Sequence, residues 1–387
     1  MRILLVTDFF LPGIKGGGRI RNNANLVQHL GEEFEFYVLT WDRDFGDRKP
    51  YPDIVPDTWV KACGYTVCYL SPSGRSLKSL RTIFRKTQFD LIYQSSFFST
   101  ITVKVLFLRR LGFLAALPIV LAPQGEFSPG ALSLKWLKKR VYIALAKTID
   151  LCRNVIWQAS TPLEEQDIRN HFGDAEKICV VRDLLPKVAG APLNRERLHQ
   201  KRPGEASFVF LSRISRVKNL DLAIELLRNL KGKVNFDIFG PIEDKAYWLA
   251  CEKLTGTLPE NIVCRYHGTL SPTMVGQVLS RYDFFFLPTR GENFGYVILE
   301  AFMAGCPVII SDATSWRELQ QMGIGWDLPL SAPERFVAVL QQCVDMDGAT
   351  FETLSKKALE FGLRICSDPK PIQQHRELFL NCAQVRT

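Results

Sequence analysis

The sequence predicts an α/β protein built from two doubly wound domains in tandem, each a parallel sheet with helices on both faces. Three observations predict it. Short apolar runs with strand character alternate with helical stretches from the N-terminus onward. The alternation lapses once, in LPKVAGAPLNRERLHQKRPGEAS from Leu185 to Ser207, where three prolines and two glycines mark a linker. It then restarts, and a length of 387 residues with 47% hydrophobic content is enough for two cores.

Taken in order, RILLVTDFF is an apolar strand, followed by the glycine-rich loop LPGIKGGG. IRNNANLVQHLGE places Ile20, Leu26, Val27 and Leu30 on one helical face, with Gly31 as a stop. FEFYVLTW reads as the second strand, and FDLIYQSS, PIVLAPQG and VIWQAS as later ones. After the linker, SFVFLSRI is a strand, LDLAIELLRNL a helix, and VNFDIFGPI, IVCRYHG, YDFFFLPT and PVIIS further strands. The domains expected are 1–190 and 203–368, with 369–387 as a terminal segment. In such sheets ligands bind at the carboxyl ends of the strands, and two facing domains would place a site in a central cleft.

Composition excludes several classes. The ten cysteines form no Cys-x-x-Cys pair and no zinc spacing, which suggests a reducing compartment. MRILLVTDFF is a strand pattern without a signal-peptide cleavage site, so a cytoplasmic location is expected. The longest uncharged apolar stretch, LGFLAALPIVLA, is too short to span a bilayer and reads as a buried helix followed by a buried strand. The net charge of +9 is uneven: residues 61–153 hold 15 Lys and Arg against 3 Asp and Glu. Such a face suits nucleic acid, anionic lipid or phosphorylated substrates. No stacking motif or nucleic-acid module accompanies it, so nucleic acid is not expected as a partner.

The stretch RGENFGYVILEAFMAGCPVIISD, Arg290 to Asp312, concentrates the chemistry. A buried strand ends at a loop, and a helix begins near Phe294-Gly295. Its free N–H groups and positive dipole end suit a phosphate, and Gly295 permits close approach. Glu292 and Glu300 can accept hydrogen bonds from hydroxyls, Glu300 from a vicinal diol such as a ribose. An anion held by amides and flanked by two such carboxylates suits a nucleotide-sugar.

This stretch resembles the E-x7-E signature of family 4 retaining glycosyltransferases, which have the GT-B fold, through Glu292, Asn293, Phe294, Gly295, Tyr296 and Glu300 and the Ala-Gly-x-Pro-Val-Ile that follows. FLSRISRVKNLDLAIELL is similar to the family's segment that sets two cations, here Arg213 and Lys218, against the donor diphosphate. FDIFGPIED resembles its glycine turn near the nucleotide at Gly240, without the usual second glycine, and RYHG places His267 near the base. In the N-terminal half, Gly16, Gly17 and Gly18 fit the family's loop facing donor phosphates or acceptor. APQGEFSPGALSL resembles the surface-polysaccharide branch, departing at Gln124, where the family carries a charged residue. Gln124 then supplies a hydrogen bond to a sugar hydroxyl, and Glu126 a catalytic or acceptor-positioning carboxylate.

The resemblance implies a retaining hexosyltransferase that binds a nucleotide-sugar, UDP- or GDP-linked, in its C-terminal domain and a glycan or lipid-linked acceptor in its N-terminal domain. It implies no metal and no cofactor, and a last segment, near PIQQHRELFLNCAQ, that crosses back to the N-terminal domain. The leaving diphosphate can itself take the acceptor proton, so no dedicated base is required. Asp42-Arg43-Asp44 looks like a metal-binding D-x-D but follows a strand of the doubly wound half, away from the donor motifs. The helix LKWLKKRVYIALAK reads either as an amphipathic helix with a solvated basic face or as a membrane-surface helix drawn to anionic lipid on the inner face of the plasma membrane. Rival readings are a sugar epimerase or phosphorylase of the same architecture, a non-catalytic nucleotide-sugar binder and a nucleic-acid binder.

Overall fold

The computed structural model describes residues 1–114, 117–133, 135–174, 177–187 and 200–384. The chain divides into two units, one of Met1–Lys187 with Asp368–Thr387 and one of Val188–Ser367.

The first unit runs β1 (Arg2–Val6), α1 (Gly18–Leu30), β2 (Glu35–Trp41), β3 (Trp59–Ala62), β4 (Tyr65–Leu70), α2 (Leu77–Lys86), β5 (Leu91–Ser95) and α3 (Thr100–Arg110). It continues with β6 (Ile119–Ala122), α4 (Pro129–Ser133), α5 (Trp136–Thr148), β7 (Val155–Ala159), α6 (Pro162–Phe172) and β8 (Lys177–Val180). The sheet order is β3-β4-β2-β1-β5-β6-β7-β8, parallel throughout except for β3 against β4. The expected all-parallel sheet is therefore corrected at one edge. There the Cys63-Gly64 pair, with Gly64 at φ 82°, turns a short hairpin between two β-rich runs.

The sheet separates two cores, as a doubly wound sheet requires. Leu4, Val6, Ile92, Leu121 and Trp157 pack on the side of α3, α5 and α6. Ile3, Leu5, Leu91, Tyr93 and Val120 pack on the side of α1. This alternation along each strand follows from the period of two.

The second unit runs β9 (Glu205–Leu211), α7 (Leu220–Leu227), β10 (Lys233–Phe239), α8 (Lys245–Thr255), β11 (Ile262–Tyr266), α9 (Val275–Leu279) and β12 (Phe284–Leu287). Then come α10 (Tyr296–Met303), β13 (Val308–Ser311), α11 (Leu319–Met322), β14 (Gly325–Leu328), α12 (Pro333–Asp345) and α13 (Gly348–Cys366). Its order is β11-β10-β9-β12-β13-β14, all parallel. The linker expected at 185–207 lies mostly outside the described residues. Its end is corrected, because β9 already starts at Glu205.

The chain closes with α14 (Lys370–Gln384), which belongs to the first unit. Leu378, Phe379 and Cys382 enter the α1-side core, and the Phe379 ring meets Phe34 and Tyr93 edge-on, with centroids 5.7 and 5.8 Å away. His375 is fully buried there. Its Nδ1–H donates to Pro371 O at 2.9 Å, and Nε2 lies 3.2 Å from Gln158 Nε2. Gln158 Nε2 is a donor and also serves Val181 O, so the ring must accept there, which requires the neutral form. Burial accordingly depresses the His375 pKa to about 4.

Candidate active site

In each sheet the strand order reverses once, and the crevice beyond the strand ends at that point is the expected ligand position. In the second unit it lies between β9 and β12. The β9 strand leads into Arg213 and then the single turn Arg216–Lys218, while β12 leads into Pro288–Glu292. The two loops are stitched together. Arg290 N donates to Val217 O at 2.7 Å, Asn219 Nδ2 to Pro288 O at 3.0 Å, and Arg290 Nε to Asn219 Oδ1 at 2.9 Å. Sequence-distant motifs thus form one rigid rim, which brings Lys218 and Glu292 into contact. Lys218 Nζ donates to Glu292 Oε2 at 2.5 Å, and the lysine is 7% exposed.

Gly295 caps α10 at φ 74°. A Cβ there would lie 2.7 Å from Glu292 Cγ and 2.9 Å from Ile298 Cδ1. The glycine therefore makes room for the Glu292 side chain as well as adopting a left-handed conformation. The helix start is held from behind, where Trp316 Nε1 donates to Phe294 O at 2.5 Å and its ring packs on the buried Phe294. Asn293, Tyr296 and Glu300 are half-buried on the same loop and helix.

Arg213 lies beyond the end of β9, half exposed, and its Nη1 donates to Glu243 Oε2 at 2.8 Å. Glu243 follows the Gly240 turn after β10. Gly240 sits at φ 135°, and a Cβ would come within 1.8 Å of Ser212 O, so only glycine fits. His267 follows β11, at the sheet edge. Its ring stacks on Phe239 at 4.8 Å, and its Nε2 lies 2.8 Å from Asp237 Oδ1. Asp237 also accepts from Tyr282 Oη at 2.9 Å, which pushes the phenol upward alongside burial as the larger cause.

In the first unit the reversal lies between β1 and β5. Gly17 (φ 65°) caps α1, and Gly18 is its first residue. A Cβ at Gly16 would meet Ile20 Cδ1 at 2.8 Å. The loop before it is pinned by Asp44, whose Oδ2 accepts from Ile14 N at 2.7 Å and Lys15 N at 2.9 Å. Asp42 is taken by Arg43 and Arg75. Both D-x-D carboxylates thus serve the fold, and no cluster of three metal-ligating residues occurs among the described residues.

Gln124 (φ 54°) and Gly125 (φ 79°) form a left-handed pair after β6. Glu164, which sequence reasoning missed, holds it: this 2%-exposed carboxylate on α6 accepts from Gly125 N at 2.5 Å and Ser160 N at 2.8 Å. Gln124 Oε1 accepts from Ser95 Oγ at 3.0 Å, which accepts from Asn23 Nδ2 at 3.1 Å. Glu126 accepts from Ser96 Oγ (2.6 Å), Phe97 N (2.7 Å), Phe98 N (3.1 Å) and Arg19 Nη2 (2.8 Å). With four donors on it, this carboxylate is built to hold Arg19 and the β5–α3 loop. Asp8, also missed, follows β1 and accepts from Ser99 Oγ at 2.6 Å, and burial raises its pKa. Its position after the first strand was the available signal.

The chain thus comprises two doubly wound units, the second carrying a buried Lys218 paired with Glu292 on the loops after β9 and β12. Residues 194–360 match the family model "Glycosyl transferases group 1". The matched residues lie within the second unit, and the chain has a GT-B-type fold. The chain is 25% identical over 270 residues to an uncharacterized 41.2 kDa protein in the cps region of Klebsiella pneumoniae, covering 66% of this chain and 71% of that protein. Anabaena HepE in complex with UDP and glucose superposes with a TM-score of 0.72 at 18% identity, over 98% of this chain and 100% of that one. WaaG, a glycosyltransferase involved in lipopolysaccharide biosynthesis, superposes with a TM-score of 0.66 at 14% identity, over 100% and 99%.

Proposed function

We propose that the protein is a retaining, metal-independent hexosyltransferase of family 4 that moves a sugar from a UDP- or GDP-sugar to a glycan or lipid-linked acceptor in surface-polysaccharide assembly. The carrying observation is the rim where Lys218, Glu292 and the start of α10 meet beyond β9 and β12. Lys218 and Arg213 supply charge to the departing diphosphate, the α10 amides hold a phosphate oxygen, and Glu300 accepts from the ribose. Gly240 and His267 border the base, and Glu292 accepts from the sugar. The neighbour that carries UDP and glucose supports the donor class. In the first unit, Gln124 and the Gly16–Gly18 loop face the acceptor, with Glu126 positioning it through Arg19 and the β5–α3 loop. Transfer assays with UDP- and GDP-sugars, run with EDTA and read by product anomeric configuration, test this reading. Inverted product, or activity only with added manganese, contradicts it.

The same reading places the first unit on an anionic membrane surface. An ordinary amphipathic helix hides its apolar face, but α5 buries only Ile143 and Ala146. Trp136, Leu137, Val141 and Leu145 are 54–60% exposed among Lys135, Lys138 and Arg140. Phe107, Leu111 and Phe113 at the end of α3 are also exposed, although the sequence read this stretch as buried. Arg110 Nε joins the two helices by donating to Ile149 O at 3.1 Å. Exposed apolar stripes flanked by cations suit the headgroup boundary. No helix among the described residues is long and apolar enough to cross a membrane. Vesicles containing anionic lipid retain the wild type at low salt, and the triple variant Trp136→Ser/Leu137→Ser/Val141→Ser is released. Equal retention of both removes α5 from the contact.

A further inference from the structure

Each of the two cations proposed for the diphosphate already carries a carboxylate. Lys218 holds Glu292, in a pair with side chains 8% and 21% exposed. Arg213 holds Glu243, in a pair 50% and 35% exposed. The second contact is fixed by the backbone. Ile214 N donates to Pro241 O at 2.9 Å, and Glu243 N to Ile214 O at 3.2 Å, so the loops after β9 and β10 are locked side by side. Glu292 is fixed likewise, with its N donating to Ala313 O at 3.0 Å and its Cγ lying under Gly295. A phosphate oxygen seeking the Lys218 ammonium or the Arg213 fork competes with these carboxylates for the same N–H donors.

We propose that Glu243 and Glu292 are resident counter-anions that a nucleoside diphosphate displaces, and that Glu292, once released from Lys218, becomes the acceptor for a donor-sugar hydroxyl. The proposal rests on the donor reading above and adds a coupling to it. Diphosphate occupancy strengthens sugar recognition, because a carboxylate relieved of the buried ammonium is a stronger acceptor for a sugar hydroxyl. Glu243, which no motif singled out, becomes a positioning residue for Arg213. The exchange is uneven: the Lys218 pair is enclosed and strong, whereas the Arg213 pair is solvent-screened and weak. No covalent bond changes, and the charge removed from each cation by its carboxylate is replaced by that of a phosphate oxygen.

The experiment measures binding of UDP, GDP, ADP and dTDP, with the matching monophosphates, by calorimetry in EDTA. The proteins compared are wild type, Glu243→Gln, Glu292→Gln and Lys218→Ala. For the diphosphate that binds, Glu292→Gln is expected to tighten Kd about tenfold and Glu243→Gln about twofold, with smaller gains for the monophosphate. Glu292→Gln should also lose any preference for the nucleotide-sugar over the bare diphosphate, and Lys218→Ala should weaken binding. Because Glu292→Gln leaves a buried lysine unpaired, its melting temperature is recorded too, and the diphosphate should raise it more than in wild type. Unchanged or weaker diphosphate binding in both glutamine variants overturns the exchange while leaving the donor site standing. No binding by any diphosphate to any variant overturns both.

Discussion

The two units end their central strands differently. In the second, the groups at the crevice come from two short stretches, 213–219 and 288–300, and the functional charges sit on adjoining loops. In the first, the crevice is assembled from α1, β5, the β6 turn and α6, and its carboxylates are taken up by backbone N–H groups, hydroxyls and Arg19. The second unit keeps side chains whose partners a ligand can exchange. The first is a frame that holds a turn in a left-handed conformation. On the proposed function, this difference puts donor chemistry in the second unit and positioning in the first.

The largest effect that would break this contrast is on turnover. Lys218→Ala is expected to lower kcat by a factor of about 10² to 10³, since a lost charge contact in such a site costs roughly 3–4 kcal/mol. Steady-state rates check it, and a full rate would return the second unit to a purely structural role.

The glycines sharpen the contrast next. Gly240→Ala should destabilise the second unit by about 3 kcal/mol, because its Cβ would collide with Ser212 O. Gly17→Ala, at a left-handed residue with open space around it, should cost only about 1 kcal/mol. Urea unfolding of both variants measures the gap.

The third prediction concerns the frame. His375 is neutral when folded, with its pKa lowered to about 4 from 6.5. A depressed base contributes stability that is present above pH 6.5 and lost as pH falls toward 4. Between pH 7.5 and 5.0 the first unit should lose about 2 kcal/mol through this residue. His375→Gln should remove that part of the pH dependence, and urea melts at the two values test it. An unchanged slope would show that α14 is not held by the neutral ring.

The same contrast explains what was legible in the sequence. The strands and the α10 start follow from local patterns, so Gly295 could be singled out from the residues, whereas Arg213, Lys218 and Gly240 were marked by the resemblance to family 4 glycosyltransferases. Arg19, Asn23 and Glu164 could not be singled out, and Asp8 was marked only by its place after the first strand. Their roles depend on partners far away in the chain, such as Arg19 with Glu126, 107 positions on. The β3–β4 hairpin was lost because β3 is short, has no buried residue and breaks the parallel pattern. The sequence left α5 open between an ordinary amphipathic helix and a membrane-surface helix for another reason. Helical periodicity marks an apolar face without saying what covers it.

The most direct test of the central claim is a thermal-shift panel of UDP-, GDP-, ADP- and dTDP-sugars in EDTA, run on wild type and Lys218→Ala. A ligand that binds only the folded chain raises its melting temperature. The account predicts a shift with one nucleotide class in wild type and its loss in Lys218→Ala. An equal shift in both proteins would contradict it.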